Sequence, residues 1–261
     1  KNRTAQTGRD HGSLNPLPKD AMPAYPDKVP LHIAIIMDGD ERWAEARSLP
    51  RLEGYRAGTE NLNQIILGCI EAGVKHLTTF GFSIDNWRRP RQDVDELLNI
   101  LGEYLDRELD ALCRLDVCVH QIGRMEGMPE PIRTILEKSI AATCQNTALT
   151  LNLAWNYSGR DEIVYATQKI IEENIPAKKI NYELVSRYLF TAGTPDPDLI
   201  IRTAGEMRVS NFLIWQGAYA EWYFTPTLWP DFDKAELFKA IDIYPHRNRR
   251  FGKISSSDHE Q

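Results

Sequence analysis

Long apolar runs are missing from this 261-residue chain. None approaches the roughly 20 residues needed to cross a bilayer. The first residues also lack the charged-then-apolar plan of a signal peptide. We therefore expect a soluble, cytoplasmic protein. Positive charge is in deficit: the formal net charge of -6 argues against a general nucleic-acid binder, which draws most of its affinity from a basic face. Cysteine is sparse. Cys69, Cys113, Cys118 and Cys144 show no CxxC spacing and sit inside apolar patterns, as buried free thiols of a reducing compartment would. The sequence also has no GxxxxGK[ST] or GxGxxG loop, no GxSxG elbow and no histidine pair at zinc-ligand spacing. This argues against the usual nucleotide cradles, a serine triad and a zinc hydrolase.

What is present is one domain's worth of ordered pattern. Residues 1–28 are polar, rich in Pro and Gly and without period, and read as a flexible arm. Residues 29–253 read as a single domain, and 254–261 as a flexible tail. Six apolar runs, at 32–37, 76–82, 117–123, 149–155, 199–203 and 220–224, read as strands. Helical spacing occupies 54–72, 93–114, 130–146, 160–175, 181–190 and 233–250. The alternation predicts an α/β fold: a mainly parallel central sheet of about six strands flanked by helices.

Ligands of such sheets lie at the carboxyl ends of the strands, and charged residues gather there. Asp38 follows the first strand, with Arg42, Arg47, Arg51 and Arg56 close behind. Ser83, Asp85, Asn86, Trp87, Arg88 and Arg89 follow the second; Asn156, Tyr157, Gly159 and Arg160 the fourth; Arg202 to Ser210 the fifth. Each has a plainer explanation: a helix cap for Asp38, a turn for Asn86, a surface ion pair for Arg202. Those explanations do not account for anion-binding groups after nearly every strand. A carboxylate facing a row of guanidinium groups suits a magnesium-loaded diphosphate, since the acid holds the metal and the arginines hold phosphate oxygens.

HIAIIMDG with Arg42-Trp43-Ala44, FGFSIDNWRRP, NLAWNYSGRDEIV and DPDLIIRTAGEMRVSNFLIWQGAYAEWYF occur in that order, followed by TLWPDF and RNRRFG. These segments resemble the cis-prenyltransferases typified by undecaprenyl diphosphate synthase. The resemblance implies a transferase that condenses isopentenyl diphosphate with an allylic prenyl diphosphate, forming a Z double bond and releasing inorganic diphosphate with Mg2+ as cofactor. It implies an apolar tunnel walled by the helices near 54–72 and 93–114, with Leu97, Leu98, Leu101, Leu105 and Leu109 as lining or core. Gly81 would leave room there, and Trp155 and Trp222 would narrow it. It also implies a homodimer, aided by the aromatic segment AYAEWYFTPTLWP and the basic Arg247 to Gly252, and a product that partitions to membranes.

Carried over by position, Asp38 is the magnesium-associated carboxylate and Glu221 the second acid near the metal. Gly39, Arg42, Arg51 and Arg89 hold the allylic diphosphate, while Arg202, Arg208 and Ser210 hold isopentenyl diphosphate. Ser83 and Asn86 stand near the reacting ends, and Trp43, Tyr55 and Trp87 complete the substrate-binding set. Asp40, by its place in the first loop, joins Asp38, Ser83 and Asn86 among the catalytic candidates.

The departures lie in that same loop. Asp38-Gly39-Asp40-Glu41-Arg42-Trp43 stands where the family usually has Asp-Gly-Asn-Gly-Arg-Trp, Tyr55 replaces a histidine, Ile84 a small polar residue and Lys253 a second glycine. They leave open an irregular, head-to-middle coupling. Two remoter alternatives are a non-catalytic partner subunit and a DxD-type phosphatase using Asp38 and Asp40. Two added carboxylates oppose diphosphate unless a cation intervenes, so Asp40 either joins the magnesium shell or alters donor binding. Asp40→Asn is accordingly expected to change magnesium dependence, donor affinity or product pattern; steady-state kinetics in which all three are unchanged would contradict a role for Asp40.

Overall fold

A computed structural model describes residues 29–246. The expected arm at 1–28, the Arg247 to Gly252 segment, Lys253 and the tail at 254–261 lie outside the described residues. Six strands form one sheet: β1 (His32–Ile36), β2 (His76–Ser83), β3 (Val117–Ile122), β4 (Leu149–Tyr157), β5 (Leu199–Arg202) and β6 (Glu221–Phe224). Their order is β3-β4-β2-β1-β5-β6. Every adjacent pair is parallel. All five residues of β1 are buried, which is why its sequence is apolar on both faces.

The helices are α1 (Asp40–Glu45), α2 (Arg51–Ala72), α3 (Arg91–Arg114), α4 (Glu130–Thr143), α5 (Gly159–Glu172), α6 (Tyr182–Tyr188) and α7 (Lys234–Ile243). One face of the sheet, with Ile33, Ile35, Leu77, Leu151 and Ile201, packs against apolar residues of α2, α3, α4 and α7. The other face carries a smaller cluster. There Ala34, Ile36, Ala154 and Ile200 meet Phe212, Leu213 and Phe190, supplied by loop segments. The expected last helix is shorter than its periodicity suggested, passing after Ile243 into a 3-10 turn at Tyr244–His246.

Helix α1 was not foreseen. Its six residues are too few to nucleate a helix alone, and tertiary contacts supply what propensity does not. Gly39 enters it in the left-handed region at φ 118°. Gly54 and Gly58 on α2 then let the backbones approach: a β-carbon on Gly54 would collide with the Asp40 carbonyl, and one on Gly58 would lie 2.8 Å from the Trp229 ring. Two cysteines also depart from expectation. Cys69 and Cys118 are buried, but Cys113 and Cys144 are exposed, because they fall at the ends of α3 and α4, where the helix turns its sides to solvent.

Chain order reverses direction in the sheet at β1. The strands after β1 build outward through β2, and β5 returns to β1's other edge. The crevice outside the carboxyl ends of β1 and β5 is therefore the switch point at which such sheets bind ligands.

One buried acid joins β4 to the segment preceding β6. Glu162 accepts hydrogen bonds from the Tyr157 hydroxyl and from Gln216 Nε2 at 3.0 Å. Burial, the largest influence, pushes its carboxyl from the ordinary 4.5 up to about 7. The folded state thus holds this proton over a range where the unfolded chain has lost it, so stability falls as pH rises from about 4.5 to about 7. Glu162→Gln should flatten that slope and raise stability at pH 8, by on the order of 3 kcal/mol at most. Chemical denaturation of both proteins across the range checks this; parallel pH profiles would contradict it.

Candidate active site

The switch point is closed by a polar clasp. The Thr203 hydroxyl, fully buried at the end of β5, accepts from the Asp38 amide at 2.8 Å and donates to the Asp38 carbonyl at 2.7 Å. Beside it, Arg202 Nη2 donates to Asp38 Oδ2 at 2.8 Å. Arg202 Nη1 donates to Ser210 Oγ at 2.7 Å and to the Arg208 carbonyl. The Arg202 side chain is 3% exposed and Asp38 33%, so the acid presents the pair to the crevice. Thr203 fell within the stretch read as anion-binding, but its clasping role becomes visible only from the register Ile36↔Arg202.

The cations around this clasp are each matched internally. Arg42 donates to the Ala204 carbonyl at 2.9 Å and lies 3.6 Å from Glu206. Glu206 also pairs with Arg208. Arg51, first residue of α2, pairs with Asp93 in the first turn of α3. Arg89 donates to the Tyr55 hydroxyl at 3.0 Å and lies 3.4 Å from Glu41, and the Tyr55 hydroxyl donates to Glu41 at 2.5 Å. Burial and the Glu41 acceptor push the Tyr55 phenol upward, keeping it a donor. Two of the sequence departures thus form one unit around Arg89.

Trp43 faces elsewhere. Its indole donates to Asp231 at 2.8 Å, with Arg47 stacked 4.1 Å over the ring, so it anchors α1 to the Trp229–Asp231 turn. Gly39 is indispensable by space as well as by φ, because a β-carbon would meet Leu228 at 3.0 Å and Ala204 at 3.1 Å.

After β2, Ser83 and Asn86 form a reciprocal cap. Asn86 Oδ1 accepts from the Ser83 amide at 2.7 Å, and Ser83 Oγ accepts from the Asp85 amide at 3.1 Å. Trp87 is tied to Asn156 Oδ1 at 2.8 Å and packs 5.0 Å from Phe82. Here the turn explanation for Asn86 holds, and Ser83 still borders the crevice. A cleft of about 560 Å³ lies at this edge, lined by Phe80, Ser83, Asp85, Arg160, Ser210 and Asn211. Asn211, not singled out from sequence, positions the far wall by accepting from the Arg160 amide at 2.9 Å and donating to Ser158 Oγ at 2.5 Å. Ala204, Ser210, Asn211 and Leu213 all have positive φ. Strain concentrated in one loop is held by its surroundings and is typical of ligand clamps.

Asp40 turns inward. It lies at the edge of a second cavity, of about 60 Å³, together with Gly58, Leu97, Leu101, Trp155 and Trp229. Its Oδ1 is buried without a hydrogen-bond partner. Burial first, then the charges of Asp38 and Glu41, hold this carboxyl well above the usual carboxylate range. Leu98 and Leu105 belong to the core and Leu109 is buried, whereas Leu97 and Leu101 border the cavity. Room expected beside Gly81 is filled, since a β-carbon there would lie 2.6 Å from Trp155 Nε1. Trp222 lies with the opposite sheet face, stacked 5.5 Å from Phe224, and does not border this cavity.

Glu221, too, stands apart from the clasp. It pairs in register with Leu199 at the start of β5, whereas Asp38 follows the end of β1 beside Arg202. Three residues of strand separate the two levels, roughly 10 Å. Among the described residues no group of three or more His, Cys, Asp and Glu side chains is placed to hold a metal. The partly buried Asp38 carboxylate, whose Oδ2 is held by Arg202, still fits magnesium, which commonly takes one or two protein acids and completes its shell with phosphate oxygens and water.

Residues 36–252 match the family model described as putative undecaprenyl diphosphate synthase. The chain is 48% identical over 233 residues to an isoprenyl transferase of Heliobacterium mobile, covering 88% of this chain and 90% of that protein. It is 45% identical over 229 residues to one from Thermotoga maritima, covering 87% and 98%. Among solved structures it resembles lavandulyl diphosphate synthase from Lavandula x intermedia in complex with dimethylallyl diphosphate, with TM-score 0.83, 35% identity and coverage of 86% and 99%. It also resembles a probable undecaprenyl diphosphate synthase from Campylobacter jejuni, with TM-score 0.74, 30% identity and coverage of 87% and 100%.

The Tyr55–Glu41 contact should be measurable as a coupling. In a double-mutant cycle with Tyr55→Phe and Glu41→Gln, the stability changes are expected to be non-additive by about 1 kcal/mol. Urea denaturation reads it; simple additivity would show the two groups to be independent.

Proposed function

The chain belongs to the undecaprenyl diphosphate synthase family of prenyltransferases, and on that premise we propose that it joins isopentenyl diphosphate to an allylic prenyl diphosphate, giving a Z-prenyl diphosphate and inorganic diphosphate. The observation that carries this reading is the Asp38–Arg202 clasp at the switch point, with Arg42 and Arg208 sharing Glu206 beside it.

Two diphosphates need two cationic niches side by side. The set of Gly39, Arg42, Arg51 and Arg89 is linked to the inner cavity by Asp40, which follows Gly39, and by Tyr55, which holds Arg89, both lining that cavity, and it would suit the allylic donor. The Arg202, Arg208 and Ser210 niche opens on the larger cleft and suits isopentenyl diphosphate. Phe80 lines both spaces, so the two hydrocarbon ends would meet beside it.

The donor carbon–oxygen bond breaks with its electron pair leaving on diphosphate. The terminal alkene carbon of the acceptor forms a bond to the freed carbon, and the proton on acceptor C2 passes to the released diphosphate, its C–H electron pair becoming the new Z double bond. Magnesium at Asp38 would neutralise charge on the leaving group. Arg42, Arg51 and Arg89 would stabilise the same charge through hydrogen bonds aimed where it develops. Arg202, held by Asp38 and Ser210, would fix the acceptor, and orientation of the alkene supplies much of the remaining acceleration.

Among the described residues no helix is long and apolar enough to cross a membrane. Contact with lipid would come through the product.

Incubation with isopentenyl diphosphate, magnesium and dimethylallyl, geranyl or farnesyl diphosphate should release diphosphate and a longer prenyl diphosphate. Asp38→Asn is expected to lower kcat/KM by at least about a hundredfold. Product formed without isopentenyl diphosphate would instead indicate head-to-middle coupling, and orthophosphate from a monoester would indicate a phosphatase. Absence of turnover with every donor would indicate a non-catalytic subunit.

A further inference from the structure

The inner cavity is small, and its walls are tied in place. Its volume of about 60 Å³ corresponds to about four to six water-sized spheres, at roughly 10–15 Å³ each. That matches the heavy-atom count of one isoprene unit; a geranyl tail carries twice as many carbons and a farnesyl tail three times as many.

Each route to enlargement meets a fixed group. Trp229 donates its indole N–H to the Gly58 carbonyl at 2.7 Å, and the Tyr104 hydroxyl donates to Asn63 Oδ1 at 2.7 Å within the core. Trp155, 2% exposed, fills the space left by the missing side chain of Gly81. At the edge nearest the phosphate loop, Asp40 turns an unpartnered buried oxygen inward. A hydrocarbon tail lying against it would set apolar atoms on a buried oxygen and offer it no hydrogen bond, which disfavours apolar occupants that fill the mouth completely.

We propose that this cavity admits a single five-carbon tail, so that dimethylallyl diphosphate is the preferred allylic donor and the product stops at ten carbons. The ten-carbon Z product of one condensation, neryl diphosphate, cannot re-enter as donor, because its tail exceeds the space. Asp40 and Trp155 are then specificity-determining residues, at the mouth and the side of the cavity. Leu101 forms part of the apolar wall. The inference rests on the transferase reading above and narrows its substrate.

The experiment combines binding with product analysis. Unreactive S-thiolodiphosphates of dimethylallyl, geranyl and farnesyl alcohols are titrated into the protein with magnesium, and products of the wild type with dimethylallyl and isopentenyl diphosphates are sized by chromatography. We expect the dimethylallyl analogue to bind at least tenfold more tightly than the farnesyl one, and a ten-carbon product to dominate. Leu101→Ala, which widens the cavity, should narrow that affinity gap and add a fifteen-carbon product. Equal or tighter binding of the farnesyl analogue, or wild-type products of twenty-five carbons and more, would overturn the proposal even if Leu101→Ala failed to fold. Preference for the short analogue without condensation would support the cavity assignment and count against the transferase reading alone. Failure of all three analogues to bind would count against both.

Discussion

Charge balance at the ends of β1 and β5 is the constraint on which the rest of the site depends. A site for two diphosphates, as proposed for this chain, must gather guanidinium groups closely enough to hold them, yet fold before they arrive. Unscreened like charges in a partly dry crevice repel, and an unpaired buried charge is costly. The chain meets this by giving each cation a carboxylate: Arg202 has Asp38, Arg42 and Arg208 share Glu206, Arg51 has Asp93 and Arg89 has Glu41. Most of these pairs are half-exposed and contribute little to stability on their own. Their use is positional, since an arginine held by a weak surface acid can be recruited by a stronger, doubly charged ligand without a large rearrangement.

Asp38–Arg202 differs in being nearly dry on the arginine side. The Arg202 fork is already directed at Asp38 and Ser210, and the buried Thr203 hydroxyl fixes the backbone of the two strand ends beneath it. The altered loop extends this pattern. Glu41 and Tyr55 lie 14 positions apart and meet on Arg89, so the usual glycine and histidine have been exchanged for a hydrogen-bonded pair. Asp40 joins no such pair and faces the apolar cavity, which shifts its effect from the phosphates to the hydrocarbon.

Much of the fold could be read from residue pattern because β1, β4 and β5 are buried on both faces almost throughout, which leaves few other readings of such apolar runs. Helix α1 could not, since its conformation is imposed by Gly39, Gly54 and Gly58 through contacts with distant chain. The arginines were legible as a row following strand ends; their counterions were not, because Asp93 and Glu206 look like ordinary surface acids until the helices are placed. Sequence order put Glu221 near a motif and resemblance put it near the metal, but the parallel register sets it at the opposite level of the strand. Trp222 shows the same limit, since side-chain alternation along β6 sends it to the other face of the sheet.

Two separate cationic niches, filled together, are the centre of this account. The most direct measurement is the stoichiometry of a ternary complex: calorimetric titration of isopentenyl diphosphate, with magnesium, into protein saturated with dimethylallyl S-thiolodiphosphate. The account predicts one molecule of each per chain, with the second binding undiminished by the first. Competition between the two ligands for a single site would contradict it.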